Sequence, residues 1–285
     1  MKKLITPKEE QQVKEKLKEL LLRSWKASRP FFPRMRLVFK VVPIEKYFST
    51  AGAIYWLTPY WRGEDFTRAI LFHEGFHWNI YPVSVWRSLE ETFKVRELLA
   101  EEEGFQPKKV QKGLYRTEED WSGFKYTIAE IQFVQNILGD YLINWHIHDY
   151  YPTVWDALWS FLYKEGKFYA KDKELKRDTT FQLYLAVYSH LIPGVPSYPL
   201  KTKEAREKIE KIAKIVRACK LEKISTIYAT RELVKLFHPH IEADFKKQGQ
   251  GEGQGGTLKC PACGHDEFEI TAYQDKNGNW VEINE

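Results

Sequence analysis

Cysteine and methionine are scarce in this chain, which has only 3 Cys and 2 Met among 285 residues. So few cysteines exclude a disulfide framework, and two of them form a C-x-x-C pair, a pattern typical of metal binding in a reducing compartment. An apolar run long enough to cross a bilayer is also lacking, and the first residues have no apolar segment of a secretory signal. These absences predict a cytoplasmic protein with no membrane partner.

A strong charge of either sign is absent as well. The formal net charge is only +5, which gives weak support for a nucleic-acid partner. The sequence does have 43% hydrophobic residues, and its length allows one large domain, or a main domain with a small module. We therefore expect a globular protein with a sizeable core.

The order of the predicted elements favours the α+β fold class. Strands are predicted at 37–48 and 51–60, where β-branched and aromatic residues are frequent, and a helix is predicted at 66–80. The rest is mostly helical. Its helices are predicted at 84–103, 127–150, 153–165, 178–191, 202–219 and 223–237, and another precedes the strands at 7–26.

A change of composition near residue 246 predicts the domain boundary. The run KKQGQGEGQGG is typical of a flexible linker, which we place at 246–257. It separates a main domain, 1–245, from a small β-type module, 258–285. In that module the pair Asn277–Gly278 predicts a hairpin.

The run ILFHEGFHWNIYP contains an H-E-x-x-H motif made of His73, Glu74 and His77. On a helix, residues four apart share one face, so the two histidines can bind one zinc ion. Zinc lowers the pKa of a bound water towards about 7, and Glu74 is placed to take the proton as that water attacks a carbonyl. The flanking residues are apolar, so a glutamate here needs a partner or a wet cavity. The motif predicts a catalytic zinc site.

A catalytic zinc needs a third protein ligand. Asn136, Asp140 and Asn144 recur every four residues on an otherwise apolar helix, which predicts a buried polar stripe there. We interpret Asp140 as the ligand and the two amides as the groups that orient the ligands. Four alternatives stay open for the third ligand: Glu97, Glu130, His146 and His148.

The C-terminal run CPACGH supplies Cys260, Cys263 and His265. A C-x-x-C turn with an internal proline and a following glycine is typical of zinc knuckles, so we predict a second, structural zinc on these residues. A full ribbon needs a second cysteine pair, which does not follow. The alternatives are therefore a pair donated by a partner chain or a degenerate ribbon without metal. Cys219 is predicted to be a core residue instead.

HEGFH (73–77) and NILGDYLIN (136–144) together resemble the zincin metallopeptidase domains found next to von Willebrand-A-like domains. In those domains an H-E-x-x-H helix is followed by an N-x-x-x-D-x-x-x-N helix. The resemblance covers about residues 35–150 and implies His73, His77 and Asp140 as zinc ligands, with Glu74 as general base. A D-x-S-x-S adhesion motif is lacking, so the associated von Willebrand-A-like domain is not expected.

A weaker resemblance is to SprT-like proteases, which combine H-E-x-x-H with a C-terminal zinc ribbon. These carry a further histidine shortly after the motif, and residues 78–100 of this chain contain none.

The predicted function is zinc-dependent hydrolysis of peptide bonds in a polypeptide substrate. The predicted architecture is a zincin-like metalloprotease domain with a small N-terminal sheet, joined to a zinc-ribbon-like tail that binds a protein or nucleic-acid partner. The alternative is a non-catalytic, zinc-stabilised adaptor that binds nucleic acid or a protein. An intact Glu74 favours the enzyme, since a structural zinc site needs no base.

Overall fold

Helices make up most of the chain that the structure describes, and small sheets make up the rest, so the organisation is α+β. The chain divides into two compact units. The first contains Met1–Val85, Gly139–Lys173 and Thr257–Glu285, and the second contains Trp86–Leu138 and Glu174–Gly256. The computed structural model describes residues 38–41, 49–51, 54–57, 69, 72–73, 76–77, 80–81, 85–112, 116–164, 179–195, 202–248, 272–274 and 280–282.

The N-terminal sheet has three short strands in the order β1-β3-β2. They are β1 (Val38–Val41), β2 (Ser49–Ala51) and β3 (Ile54–Leu57), and β3 is parallel to β1 and antiparallel to β2. Described strands therefore lie within both predicted stretches, and β2 was not predicted as a separate strand. The other residues of the two predicted strands lie outside the described part of the chain.

The segment that contains HEGFH is helical at residues 69, 72, 73, 76 and 77, and we refer to it as the motif helix. The described helices after it agree with the predicted ones to within about three residues at most ends. They are α1 (Val85–Glu102), α2 (Ile128–Tyr150), α3 (Pro152–Lys164), α4 (Thr179–Leu191), α5 (Lys203–Lys220) and α6 (Thr226–Gln248).

Helix α6 is the main correction, because it continues past its predicted end at 237 to Gln248. Pro239 lies inside it and removes one backbone hydrogen bond, which normally ends or kinks a helix. Phe237 and Ile241 on either side of the proline are buried, and their packing offsets that loss. The first residues of the predicted linker are therefore helical. The rest of the linker lies outside the described residues, so the domain boundaries stay a prediction.

A two-stranded hairpin in the second unit was not predicted. It pairs β4 (Lys108–Lys112) with β5 (Arg116–Asp120) in antiparallel register. Lys108 lies opposite Asp120 and Lys109 opposite Glu119, so opposite charges face each other across the strands. Such charged strands lack the alternation of apolar and polar residues by which strands are recognised in a sequence.

A second two-stranded sheet lies in the C-terminal tail. Strand β6 (Ala272–Gln274) pairs with β7 (Trp280–Glu282), which confirms the predicted hairpin there. The predicted turn at Asn277–Gly278 itself lies outside the described residues, as does the predicted helix at 7–26.

Each unit has its own buried apolar residues. In the first unit these come from the motif helix, the C-terminal half of α2 and α3, and they include Phe76, Tyr141 and Leu158. In the second unit α4, α5 and α6 pack against one another. None of the helices in the described part of the chain is long and apolar enough to cross a membrane.

Candidate metal centre

The motif helix and helix α2 bring three metal-binding side chains together inside the first unit. His73 and His77 lie one turn apart on the motif helix, with their ring centroids 5.1 Å apart. Asp140 comes from α2 and is fully buried, and His73 is 4% exposed. Carboxylates and imidazoles are seldom buried to this degree without a partner or a metal.

The ligand atoms of these three side chains converge on one point. The Oδ1 atom of Asp140 lies 3.2 Å from Nε2 of His73 and 3.4 Å from Nε2 of His77. Ligand atoms bound to a tetrahedral zinc at about 2.0–2.1 Å stand roughly 3.3–3.4 Å apart. The two measured separations therefore fit the spacing that one ion would require.

The outer nitrogen of each imidazole is fixed by an acceptor. Nδ1–H of His73 donates to Oδ1 of Asn144 at 2.9 Å, and Nδ1–H of His77 donates to the carbonyl oxygen of Tyr81 at 3.1 Å. Both acceptors are oxygens without a hydrogen to give, so the proton must sit on Nδ1 in each ring. Nε2 of both rings is then the atom turned towards Asp140.

This arrangement could hold a cation at the centre of the group. When both imidazoles are neutral, two Nε2 lone pairs and a carboxylate oxygen point at one another, which is repulsive in a buried site. A metal ion relieves that repulsion, as does a proton on each ring. His73, His77 and Asp140 are the group of ligands within the described residues that can hold a metal ion.

The protonation of Asp140 follows from the same contacts. In the metal-free site, burial disfavours the charged carboxylate, but when His73 and His77 carry a proton on Nε2 as well, their hydrogen bonds and charges outweigh burial and hold the pKa of Asp140 below its usual range. The carboxylate is therefore ionised, which is the state that a metal ligand requires.

A cluster of aromatic rings joins the motif helix to the C-terminal end of α2. The Phe76 ring lies 6.3 Å from the Phe72 ring, 4.9 Å from the His146 ring and 5.4 Å from the Tyr151 ring, measured between centroids. Tyr151 follows the end of α2, so these contacts pack the motif helix against that end. They hold in place the two helices on which the ligands sit.

The alternatives for the third ligand do not belong to this group in the described part of the chain. Glu97 is exposed on α1. Glu130 lies 2.6 Å from Nδ1 of His238, and His148 lies 3.0 Å from Asp149. His146 packs among aromatic rings.

Several predicted residues stay predictions. Asn144 contacts His73 as described above, and Asn136, one turn before Asp140, is half-buried, so its role stays a prediction. Four other predicted residues lie outside the described part of the chain: Glu74, Cys260, Cys263 and His265. Cys219 is buried, as predicted for a core residue.

The acceptor for His77 is the contact that the sequence did not indicate. Tyr81 contributes its backbone carbonyl, so its side-chain type gives no signal of this role. A backbone acceptor of this kind is common beside metal-binding histidines, but only its position in the fold reveals it.

Comparison with known proteins identifies no relative: no protein-family model, no curated protein and no solved structure matches the chain significantly. The case for a function therefore rests on the geometry of the site and on the two sequence motifs.

Proposed function

We propose that this protein is a zinc-dependent metallopeptidase of the zincin type, acting on a polypeptide substrate in the cytoplasm. In this proposal His73, His77 and Asp140 hold the zinc and Glu74 is the general base. The observation that carries it is the convergence of His73 Nε2 and His77 Nε2 on Asp140 Oδ1, at 3.2 and 3.4 Å.

The number of ligands supports a catalytic site over a structural one. Structural zinc sites have four protein ligands, whereas catalytic sites have three and keep one position open. Among the described residues, three side chains belong to the group and no fourth His, Cys, Asp or Glu joins them. A set of two histidines and one carboxylate is also typical of peptidases.

The chemistry divides between the metal and the chain. A bound zinc supplies a Lewis acid for a peptide carbonyl and lowers the pKa of a coordinated water. Glu74 directly follows His73 in the sequence, and in the proposal its carboxylate accepts the proton of the attacking water and passes it to the leaving amine. Asn144 and the Tyr81 carbonyl keep both imidazoles in the tautomer that offers Nε2.

The first experiment measures zinc per chain in the full-length protein by elemental mass spectrometry. Because Cys260 and Cys263 are predicted to bind a second zinc, both are changed to serine in every sample. We expect about one zinc per chain, lost in His77→Ala and kept in His148→Ala, a histidine on α2 outside the group. A folded protein without zinc would overturn the proposed metal centre.

The second experiment separates the peptidase from the adaptor. Glu74→Gln keeps the size of the side chain and removes its basicity, so we expect normal zinc content and a loss of peptide cleavage of at least about 100-fold. Cleavage is measured on casein and on a peptide library. Zinc binding without any cleavage by the unmodified protein would favour the non-catalytic adaptor, with its C-terminal module as the partner-binding part.

A further inference from the structure

Gly139 lies directly before Asp140 and faces His77. A Cβ atom at this position would stand 3.3 Å from Cε1 and 3.5 Å from Nδ1 of the His77 ring, and 3.5 Å from Cδ1 of Tyr81. The closest of these distances is shorter than an ordinary van der Waals contact. Any side chain here would therefore press on the imidazole of a proposed metal ligand.

The His77 ring has little freedom to move away. Its Nδ1–H is held by the Tyr81 carbonyl at 3.1 Å, and its Nε2 faces Asp140 Oδ1 at 3.4 Å. The His73 ring lies edge-on, with the centroids 5.1 Å apart. A shift of a few tenths of an ångström would tilt Nε2 away from the shared point, and metal ligands tolerate only about 0.2 Å of such error.

The structural reason for a glycine at position 139 is different from the reason at the other described glycines. Gly104, Gly123 and Gly194 have φ angles of 65°, 88° and 81°, and an added Cβ would meet nothing within 4 Å. Their positive φ explains them. Gly139 lies inside helix α2, where alanine would be the better helix former, so its backbone conformation does not explain it.

We propose that Gly139 is a positioning residue of the metal centre. Its missing side chain lets the α2 backbone approach His77 closely enough for His77 Nε2 and Asp140 Oδ1 to share one ion. This inference rests on the proposed metal centre, and it adds a requirement on the spacing between the two helices that the ligand residues do not themselves impose.

The test compares two glycine-to-alanine changes in the full chain carrying Cys260→Ser and Cys263→Ser. Zinc affinity is measured by competition with a chromogenic chelator, and the melting temperature is measured on the metal-free protein. Gly139→Ala is expected to weaken zinc binding about 10- to 100-fold, the range typical of residues that orient ligands, without lowering the melting temperature. Gly123→Ala is expected to show the opposite pattern, a lower melting temperature with unchanged zinc affinity, because its positive φ is strained by a side chain.

The outcomes separate this inference from the proposed metal centre. If the unmodified protein binds zinc and Gly139→Ala binds it equally well, the inference is overturned and the metal centre stands. A Gly139→Ala protein that does not fold would overturn the inference as well, because the glycine would then be needed for packing. If the unmodified protein binds no zinc, both the metal centre and the inference are wrong.

Discussion

Helix α2 carries two buried carboxyl groups, and each is in contact with histidine. Glu130 lies in its first turn, 4% exposed, with its Oε1 atom 2.6 Å from Nδ1 of His238. Asp140 is fully buried and is approached by Nε2 of both His73 and His77. The two carboxyl groups thus share a helix and a kind of partner, but one has a single histidine and the other has two.

Their pKa values move in opposite directions. Burial raises the pKa of Glu130, and the hydrogen bond and charge of His238 offset only part of that effect. Burial also opposes ionisation of Asp140, but His73 and His77 together outweigh it and lower the pKa. Burial favours the neutral acid at both positions. The two histidines beside Asp140 outweigh this effect of burial, whereas the single histidine beside Glu130 does not.

This difference separates a structural contact from a candidate metal ligand. A carboxyl group that binds a proton readily is suited to joining two helices, as Glu130 joins α2 to α6 through His238. An ionised carboxylate that faces two Nε2 atoms is suited to holding a metal ion, which takes the place of the Nε2 protons when it binds. The predictions below test whether the two ends of α2 differ in this way.

The largest expected difference in zinc affinity is between two variants in which one or the other carboxyl group is neutralised. Asp140→Asn removes a direct ligand, so we expect zinc affinity to fall by more than about 100-fold, beyond the range seen for residues that only orient ligands. Glu130→Gln is the matched change on the same helix and is expected to leave zinc affinity unchanged. Competition with a chelator measures both, in the protein carrying Cys260→Ser and Cys263→Ser.

An equal loss of zinc in both variants would contradict the comparison, because it would place both carboxyl groups in one functional site. Full retention of zinc by Asp140→Asn would remove Asp140 from the ligand set. Circular dichroism of each metal-free variant checks that the fold is kept.

A smaller effect is expected from the amide that orients His73. Asn144→Ala removes the acceptor of His73 Nδ1–H, so the ring can rotate or change tautomer, and we expect zinc affinity to fall about 10- to 100-fold. The matched control is Gln135→Ala, also a buried amide on α2, which accepts a hydrogen bond from Ser88 at 2.6 Å. Gln135 also hydrogen-bonds Thr92 and the Ser88 carbonyl, so that variant should lose about 1–3 kcal/mol of stability and no zinc affinity.

Unchanged zinc affinity in Asn144→Ala would mean that His73 is oriented by packing alone. Reduced affinity in Gln135→Ala would mean that the measurement reports general loosening of α2, not the contact to His73.

Much of the helical fold follows from the sequence because its signal is periodic. Helix α5 is an example: Ile209, Ile212, Ala213 and Val216 repeat at helical spacing and are all buried. The β4–β5 hairpin could not be predicted in this way, because apolar and polar residues do not alternate along the strands KKVQK and RTEED. Their pairing of Lys with Asp and Glu becomes visible only once the register is known.

The candidate site likewise has some features that the sequence predicts and others that it does not. The spacing of His73 and His77 is local, so a motif reveals it, and Asp140 was inferred from the stripe of polar residues on its helix. The Tyr81 carbonyl and the clearance at Gly139 are properties of the backbone and of how closely two helices approach. They depend on distances between segments far apart in sequence, which spacing rules do not contain.

The effect of pH on stability tests Glu130 directly. Its pKa is raised above 4.5 in the folded chain, so the folded state binds a proton more tightly than the unfolded state. The free energy of unfolding should therefore fall as pH rises from about 4.5 through the raised folded-state pKa, and then level off. Glu130→Gln cannot titrate, and its unfolding free energy should lack this fall. Urea unfolding at a series of pH values compares the two proteins, and parallel curves would show that Glu130 has an ordinary pKa.

The smallest effect on zinc content is expected from a substitution of Cys219. This thiol is buried, and among the described contacts no histidine offsets the effect of burial on its pKa. Burial, together with the charge of Glu91, raises the pKa of the Cys219 thiol from 9.0 to about 11. At pH 8 its thiolate fraction is then about 100-fold smaller than that of a free thiol, so a thiol reagent should label it far more slowly than in urea. The protein carrying Cys260→Ser and Cys263→Ser makes the measurement specific to Cys219, and Cys219→Ala in that protein should leave zinc content unchanged. Rapid labelling would mean that burial does not raise the pKa of this thiol, and the effect of burial on the pKa of Glu130 would then also be in doubt. Loss of zinc in the alanine variant would mean that Cys219 contributes to zinc binding.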